Sequence, residues 1–187
     1  MIATFIGHRR IQNRSGISKR IREIVLYLIE YRNVDTFLFG SRSDFDELCL
    51  EAVSEIKTIK PHINRIYVRA AYPHIDEIYL AYLYRFYDST YIPDGIDRAG
   101  KSAYVERNFH MIDKADICVF YFDKGYIPPI ADEMKNRFYC GRRKSGTQTA
   151  YEYALKRGKP IINLYALLKF SSNKPYRIAM LMYRRIK

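Results

Sequence analysis

Short apolar runs alternate with amphipathic segments along most of this 187-residue chain, and this alternation constrains the fold more than any other feature of the sequence. Several of the runs are continuously apolar, which is typical of strands buried on both faces of a parallel sheet. Strands that alternate with amphipathic helices are expected to form such a sheet with helices on both faces. We therefore predict an α/β fold with a doubly wound, mostly parallel sheet.

The predicted elements follow from the hydrophobic periodicity. The strands are Ile2 to Gly7, Thr36 to Gly40, Arg65 to Ala70, Thr90 to Pro93, Ile117 to Phe122 and Pro160 to Tyr165. The helices are Ser18 to Arg32, Asp44 to Lys57, Asp76 to Tyr87, Gly100 to Ala115 and Thr147 to Arg157. The stretch from Lys124 to Lys144 has no periodicity, so it is predicted to be a long loop, either functional or a surface excursion.

The charge balance limits the kinds of partner. Lys and Arg number 32 against 20 Asp and Glu, a net charge of +12, which favours phosphate groups, nucleotides, nucleic acid or acidic membrane surfaces. Six basic residues lie in the last nineteen positions, which contain no acidic residue. We therefore predict one domain over residues 1–165 and a basic extension over 166–187, either a helix or a disordered arm.

Cysteine and histidine spacing argue against a disulfide framework and a metal site. The three cysteines, Cys49, Cys118 and Cys140, show no CxxC spacing, and the four histidines form no HExxH pattern. The N-terminus does not resemble a signal peptide, and no apolar stretch is long enough to span a membrane. We expect a soluble cytoplasmic protein with no metal or cofactor and no membrane partner.

Two strand ends carry candidate binding residues, because ligands of open parallel sheets bind beyond the carboxyl ends of the strands. The first strand ends in Gly7-His8-Arg9, where glycine permits a tight turn and arginine offers a planar fork for an anion. The second ends in Gly40-Ser41-Arg42-Ser43-Asp44 and opens a helix whose free N–H groups suit an anion. The alternatives are an ordinary surface arginine and an ordinary Ser43 N-cap.

The most specific candidate is Lys144-Ser145-Gly146-Thr147, which opens the last predicted helix. A turn of small residues with hydroxyl groups at a helix N-terminus lets backbone amides approach a phosphate closely. Glu152 lies further along the same helix, facing either the crevice or solvent. Asp123, at the end of the fifth strand, is suited to a hydroxyl group or a metal-bound water, or merely to solvent.

Residues Gly95 to Ser102 match the spacing of a Walker A phosphate loop. Such a loop needs a buried strand directly before it, whereas the preceding strand is short and broken by Pro93. The start of an ordinary helix is the favoured interpretation, and a P-loop NTPase is the third functional hypothesis.

Four segments together resemble the SLOG superfamily, a Rossmann-like group that includes the Lonely Guy phosphoribohydrolases and DNA-processing protein A. They are Gly7-His8-Arg9, Gly40 to Asp46, Glu106 to Asp116, and Ser145-Gly146-Thr147, and the resemblance spans Met1 to Tyr165. It implies that Arg107 and Glu152 act on the N-glycosidic bond of a nucleoside monophosphate. It also implies a pocket for a nucleotide signal, such as an NAD-derived or cyclic nucleotide, of the kind found in bacterial defence systems.

The leading hypothesis is a protein that binds a nucleotide or nucleotide-derived molecule, as a sensor, a sequestering protein or a weak N-glycosidic hydrolase. Ser145, Gly146 and Thr147 would hold phosphate, with Arg9, Arg42 or Arg107 as charge partners. Asp46 and Glu152 would contact ribose hydroxyls or act as acid and base. The full set of candidate ligand-binding residues is Gly7, His8, Arg9, Gly40, Ser41, Arg42, Asp46, Asn108, Ser145, Gly146 and Thr147.

The second hypothesis is a single-stranded nucleic-acid-binding module that resembles DNA-processing protein A. Tyr79, Tyr82, Tyr84 and Tyr87 would then form a stacking platform, although tyrosines at helical spacing more often pack in a core. A homo-oligomer is expected under either hypothesis.

Overall fold

The computed structural model describes residues 1–11, 13–71, 74–126 and 144–170. Its strands are β1 (Ile2–Gly7), β2 (Thr36–Phe39), β3 (Asn64–Val68), β4 (Ser89–Tyr91), β5 (Ile117–Tyr121) and β6 (Ile161–Asn163). They form one parallel sheet in the order β4-β3-β2-β1-β5-β6. The predicted α/β fold is confirmed, and it is Rossmann-like and doubly wound.

Within the described residues, six helices cover the two faces of the sheet. They are α1 (Arg14–Arg32), α2 (Asp44–Lys57), α3 (Glu77–Tyr84), α4 (Ala103–Lys114), α5 (Gly146–Lys156) and α6 (Leu164–Phe170). Successive side chains of a strand point to opposite faces, so Phe5 of β1 packs with α1 and α2, whereas Ile6 packs with α4 and α5. Leu83 of α3 and Leu164 of α6 join the first of these cores.

The last predicted strand is shorter than expected. β6 ends at Asn163, and α6 begins at Leu164 instead of the strand continuing to Tyr165. Leu164, Leu167 and Leu168 recur at helical spacing and pack against the core formed with α1, and this explains the change from strand to helix. Residues 171–187, most of the predicted basic extension, and residues 127–143 of the predicted loop lie outside the described residues.

The order of the strands creates a switch point. The chain builds outward from β1 to β4, and β5 then pairs with the other side of β1. Ligands of doubly wound sheets bind at the carboxyl ends of the two strands where this reversal occurs. Among the described helices, none is both long and apolar enough to cross a bilayer.

Candidate functional site

A cleft of about 1040 Å³ opens at the carboxyl ends of the strands. Its walls come from the segments that follow β1, β2 and β3, from α4, and from the start of α5. All the predicted site residues line it except His8 and Glu152: Gly7, Arg9, Gly40, Ser41, Arg42, Asp46, Arg107, Asn108, Ser145, Gly146 and Thr147. The fold therefore brings together the residues predicted at the ends of β1 and β2, on α4 and at the start of α5.

Two glycines let helices approach the strand ends, and neither has a positive φ. A Cβ at Gly7 would lie 2.4 Å from Cγ and Cδ1 of Phe45, a fully buried residue of α2. A Cβ at Gly40 would lie 2.7 Å from Nε of Arg107 and 2.6 Å from Sδ of Met111. Close packing, rather than the predicted tight turn, is thus the reason for glycine at position 7.

The N-terminus of α2 is already supplied with acceptors and negative charge. Ser43 caps it, accepting a hydrogen bond from the Asp46 amide at 3.1 Å, as predicted. Its first turn contains Asp44, Asp46 and Glu47, which complement the positive end of the helix dipole. This helix terminus is therefore a poor place for a ligand anion.

The N-terminus of α5 differs, because its first turn contains no acidic residue. Ser145 caps it by accepting from the Gln148 amide at 3.0 Å, and the Thr147 hydroxyl donates to the Gly7 carbonyl at 2.8 Å. The second bond fixes the start of α5 against the end of β1, at the switch point. The first amides of a helix have no intrahelical acceptor, so those of Gly146 and Thr147 suit an anion.

Asp46 is a buried carboxyl group at the floor of the cleft. Its side chain is 2% exposed, and Oδ2 accepts hydrogen bonds from the amide and the hydroxyl of Ser41. Burial raises the pKa of Asp46 to about 6, although the bonds from Ser41 and the charge of Arg107 oppose this shift. Oδ1 has no hydrogen-bond partner within the described part of the chain.

Arg107, on α4, is a buried cation in the same cleft, with a residue exposure of 3%. Its Nε donates to Oδ1 of Asn108 at 3.1 Å, and its guanidinium carbon lies 5.6 Å from the centre of the Tyr104 ring. Burial lowers the pKa of Arg107, and the charge of Asp46 opposes that shift. Nη1 is buried and, among the described residues, has no partner.

The cleft floor thus holds a buried acceptor, Oδ1 of Asp46, and a buried donor, Nη1 of Arg107. Buried polar atoms without partners are uncommon, and each costs free energy in the folded protein. A hydroxyl group is a chemical match for the pair, since it can donate to a carboxylate and accept from a guanidinium.

Asp46→Asn is expected to change how stability depends on pH. Because the pKa of Asp46 is raised in the folded state, its protonated side chain stabilises the fold fully at pH values below the unfolded-state pKa near 4. This stabilisation is lost as the pH rises through the folded-state pKa of about 6. The variant should therefore gain up to about 3 kcal/mol relative to the wild type between pH 4 and pH 8. Urea unfolding across this pH range measures the difference, and two parallel pH profiles would refute the assignment.

His8 is buried and is not part of the cleft wall. Its side chain is 1% exposed, stacks on Tyr126 at 3.8 Å between ring centres, and accepts the Asp123 amide at Nε2 over 2.9 Å. That bond requires the neutral ring with its proton on Nδ1, and burial, the largest cause, lowers the pKa of His8. His8 therefore joins the segments after β1 and β5 instead of facing a ligand.

Glu152 also lies outside the cleft wall. It sits on the exposed side of α5, where its carboxylate accepts from Nζ of Lys144 at 2.6 Å and from Nε2 of Gln148 at 2.9 Å. The hydrogen bond from Lys144 lowers the pKa of Glu152. Lys144 itself lines the cleft, so Glu152 holds that cation in position but does not meet Arg107 across the cleft.

Sequence reasoning missed the third strand end. Tyr67 and Arg69 line the cleft there, together with Tyr79 of α3 and Tyr104 of α4. The segment Arg69-Ala70-Ala71 directly follows β3. Applying to β3 the rule used for the first two strand ends would have identified this segment. Of the tyrosines at helical spacing, Tyr87 is buried as packing requires, whereas Tyr82 is 41% and Tyr84 53% exposed.

The Walker A-like segment lies away from the cleft. It forms two 3-10 turns, Ile96–Arg98 and Gly100–Ser102, after β4, a three-residue strand at the edge of the sheet. Lys101 and Ser102 are exposed and are not part of the cleft wall. This geometry favours the interpretation of the segment as a helix start.

No known protein-family model matches the chain, and a comparison with curated proteins finds no significant relative. What defines this protein is therefore its own fold and site: a Rossmann-like α/β domain with a basic cleft at the switch point of the sheet.

Proposed function

We propose that this protein binds a nucleotide or a nucleotide-derived small molecule in the cleft, with a phosphate at the N-terminus of α5. The observation that carries the proposal is the conjunction of two features at one place. The uncompensated helix N-terminus lines the same cleft as Arg107, whose buried guanidinium has an unpartnered Nη1 atom within the described residues. Helix amides and an arginine fork are the usual protein ligands of phosphate.

The charges of the cleft support an anionic ligand. Its described wall contains Arg9, Arg42, Arg69 and Arg107, besides Lys144, whose charge is paired with that of Glu152. Against these stand two carboxyl groups, Asp46 and Asp76, and Asp76 caps α3 by accepting the Tyr79 amide at 2.7 Å. A cleft lined mainly by one sign of charge attracts ligands of the opposite sign.

The neutral parts of a nucleotide also have counterparts in the wall. A ribose hydroxyl would bridge Asp46 and Arg107, donating to the carboxylate and accepting from the guanidinium. The rings of Tyr67 and Tyr104 would contact the base, because aromatic side chains stack on nucleobases with little regard to sequence. We also propose, from the motifs that meet at the strand ends, that the protein is a divergent member of the SLOG superfamily.

Binding without turnover is the favoured form of this activity. Glu152, the carboxylate expected to act with Arg107 on an N-glycosidic bond, is paired with Lys144 outside the cleft wall. Asp46 is the carboxyl group beside Arg107, and it would serve as the acid or base of a weak hydrolase. A sensor or sequestering protein needs only the binding residues.

A ligand panel tests the proposal. The purified protein is incubated with nucleoside monophosphates, cyclic nucleotides and NAD derivatives, and mass spectrometry quantifies retained ligand and released base. We expect retained intact ligand, and Thr147→Val to weaken its binding about 10-fold through loss of one hydrogen bond that positions α5.

Thr149→Val is the matched control for this panel. Its hydroxyl donates to the Ser145 carbonyl within α5, and the residue is not part of the cleft wall, so its effect should be within about 2-fold. Released base would show a hydrolase instead of a binding protein. Retention of no panel member would contradict the proposal.

Single-stranded nucleic acid is the second candidate ligand. The observation in its favour is the pair Tyr79 and Tyr82, stacked at 6.1 Å beside Arg42 at the rim of the cleft. A polymer that contacts many phosphates loses affinity steeply with salt, whereas a ligand with one phosphate loses little, so a salt titration separates the two. Homo-oligomer formation and the lack of a membrane partner stay predictions.

A further inference from the structure

The cleft has cations at a second place besides the start of α5, where Lys144 lies. Arg42 follows β2, and Arg69 directly follows β3. The cleft volume of about 1040 Å³ is slightly above the range for small-molecule sites, roughly 300–1000 Å³. A ligand that fills such a cleft extends well beyond a single phosphate at one end.

Arg42 is positioned without a carboxylate. Its guanidinium carbon lies 5.3 Å from the centre of the Tyr82 ring, and its Nη2 lies 3.5 Å from the Tyr79 hydroxyl. Among the described residues it forms no ion pair with Asp or Glu, whereas Arg14, Arg20 and Arg22 on α1 all do. An arginine held by aromatic rings at the rim of a cleft keeps its charge available for an anion.

The two cationic regions lie at separate strand ends. The Thr147–Gly7 bond fixes the start of α5 at the end of β1, and β2 lies between β1 and β3. Neighbouring strands are about 4.8 Å apart, so the end of β3, which Arg69 follows, is roughly 10 Å from the end of β1, and the end of β2, which Arg42 follows, is about half as far. A sugar or nucleoside with a phosphate at each end spans this separation more fully than the adjacent phosphates of one pyrophosphate.

We propose that Arg42 and Arg69 form a second anion subsite, so that the ligand carries two phosphate groups separated by a sugar or nucleoside. This inference rests on the proposed function, because the first phosphate is the one at α5. It narrows the ligand class from nucleotides in general to nucleoside bisphosphates, dinucleotides with a phosphodiester link and a terminal phosphate, and consecutive units of a single strand.

Matched ligands test the second subsite. Calorimetry compares each nucleoside 5′-monophosphate with the corresponding nucleoside 3′,5′-bisphosphate, on the wild type, on Arg42→Gln and on Arg85→Gln. Arg85 is an exposed arginine at the end of α3 outside the cleft wall, so its variant controls for the loss of one positive charge.

We expect the wild type to bind at least one bisphosphate about 10-fold more tightly than its monophosphate, because one charge-assisted hydrogen bond accounts for such a gain. Arg42→Gln should remove most of this gain, so that its affinities for the two ligands become similar, whereas Arg85→Gln should leave the gain in place.

The outcomes separate the two proposals. Equal affinity for both ligands, or an Arg42→Gln effect of equal size on both, overturns the second subsite and leaves the proposed function in place. If no ligand binds the wild type, the proposed function fails as well. The last comparison uses a single-stranded 20-mer oligonucleotide. If it binds more tightly than the bisphosphates and Arg42→Gln removes this increase in affinity, the second subsite is supported and a polymer is the source of the two phosphates.

Discussion

Gly7→Ala is expected to destabilise the protein by about 3 kcal/mol, since overpacking a rigid core costs roughly this much. The new Cβ would lie 2.4 to 2.6 Å from Cγ, Cδ1 and Cβ of Phe45. Phe45 cannot move aside easily, because it is fully buried and its ring packs against Phe5 and Tyr121, with centres 6.5 and 5.7 Å away. The strain would separate β1 from α2, and with them two walls of the cleft.

Gly146→Ala is the control for this stability measurement. No atom lies within 4 Å of a Cβ at that position, and alanine is favoured over glycine in a helix. Its free energy of unfolding in urea should therefore stay within about 1 kcal/mol of the wild type or rise. A Gly7→Ala protein as stable as the wild type would show that β1 and α2 do not pack as closely as described.

Much of the fold could be predicted from local sequence. β1 and α2 have their predicted bounds, because an apolar run ending in glycine delimits the strand and Ser43 caps the helix. The cleft residues could also be named in advance. In a parallel sheet all carboxyl ends meet at one edge, so the residues that follow β1 and β2 must be near each other.

The remaining features depend on contacts between distant parts of the chain. The reason for glycine at positions 7 and 40 lies in α2 and α4, which approach the strand ends only in the folded protein. The orientation of Glu152 depends on how α5 packs, and that packing leaves it on the exposed side with Lys144. His8 follows a strand end as Arg9 does, but the segment after β5 covers it.

Leu164 and Tyr165 are predicted to end a strand but lie at the start of α6. Short apolar runs are compatible with either a strand or a helix, and the packing of Leu164, Leu167 and Leu168 against the α1 side of the sheet decides between them. For the same reason the tyrosines of α3 could not be assigned from spacing alone. Tyr79 both packs against the core and lines the cleft.

Arg107→Met is expected to weaken nucleotide binding about 100-fold, the largest effect on binding predicted for a single substitution. The change removes the buried guanidinium that interacts electrostatically with Asp46 and lines the same cleft as the start of α5, and charge-assisted hydrogen bonds to it account for about 3 kcal/mol. Methionine keeps an apolar chain against Tyr104 and Gly40. Because Asp46 then loses a neighbouring positive charge, the unfolding of the variant is measured alongside its affinity.

A double variant, Arg107→Met with Asp46→Asn, separates binding from folding. It removes the buried carboxylate left by the single change, and replacing both charges of a buried cluster is often neutral for stability. We expect it to unfold at a urea concentration closer to that of the wild type than Arg107→Met does, yet to remain as weak a binder as the single variant. A double variant with wild-type affinity would exclude a contact between Arg107 and the ligand.

The central claim is that a nucleotide phosphate binds at the N-terminus of α5 with Arg107 as its charge partner. Its most direct test is a titration of the wild type and Arg107→Met with the tightest-binding nucleotide, followed by the backbone amide resonances of Gly146 and Thr147. We expect both resonances to shift and saturate in the wild type, and to need about 100-fold more ligand in the variant. A ligand that saturates the protein and leaves the Gly146 and Thr147 amides unshifted would contradict the claim.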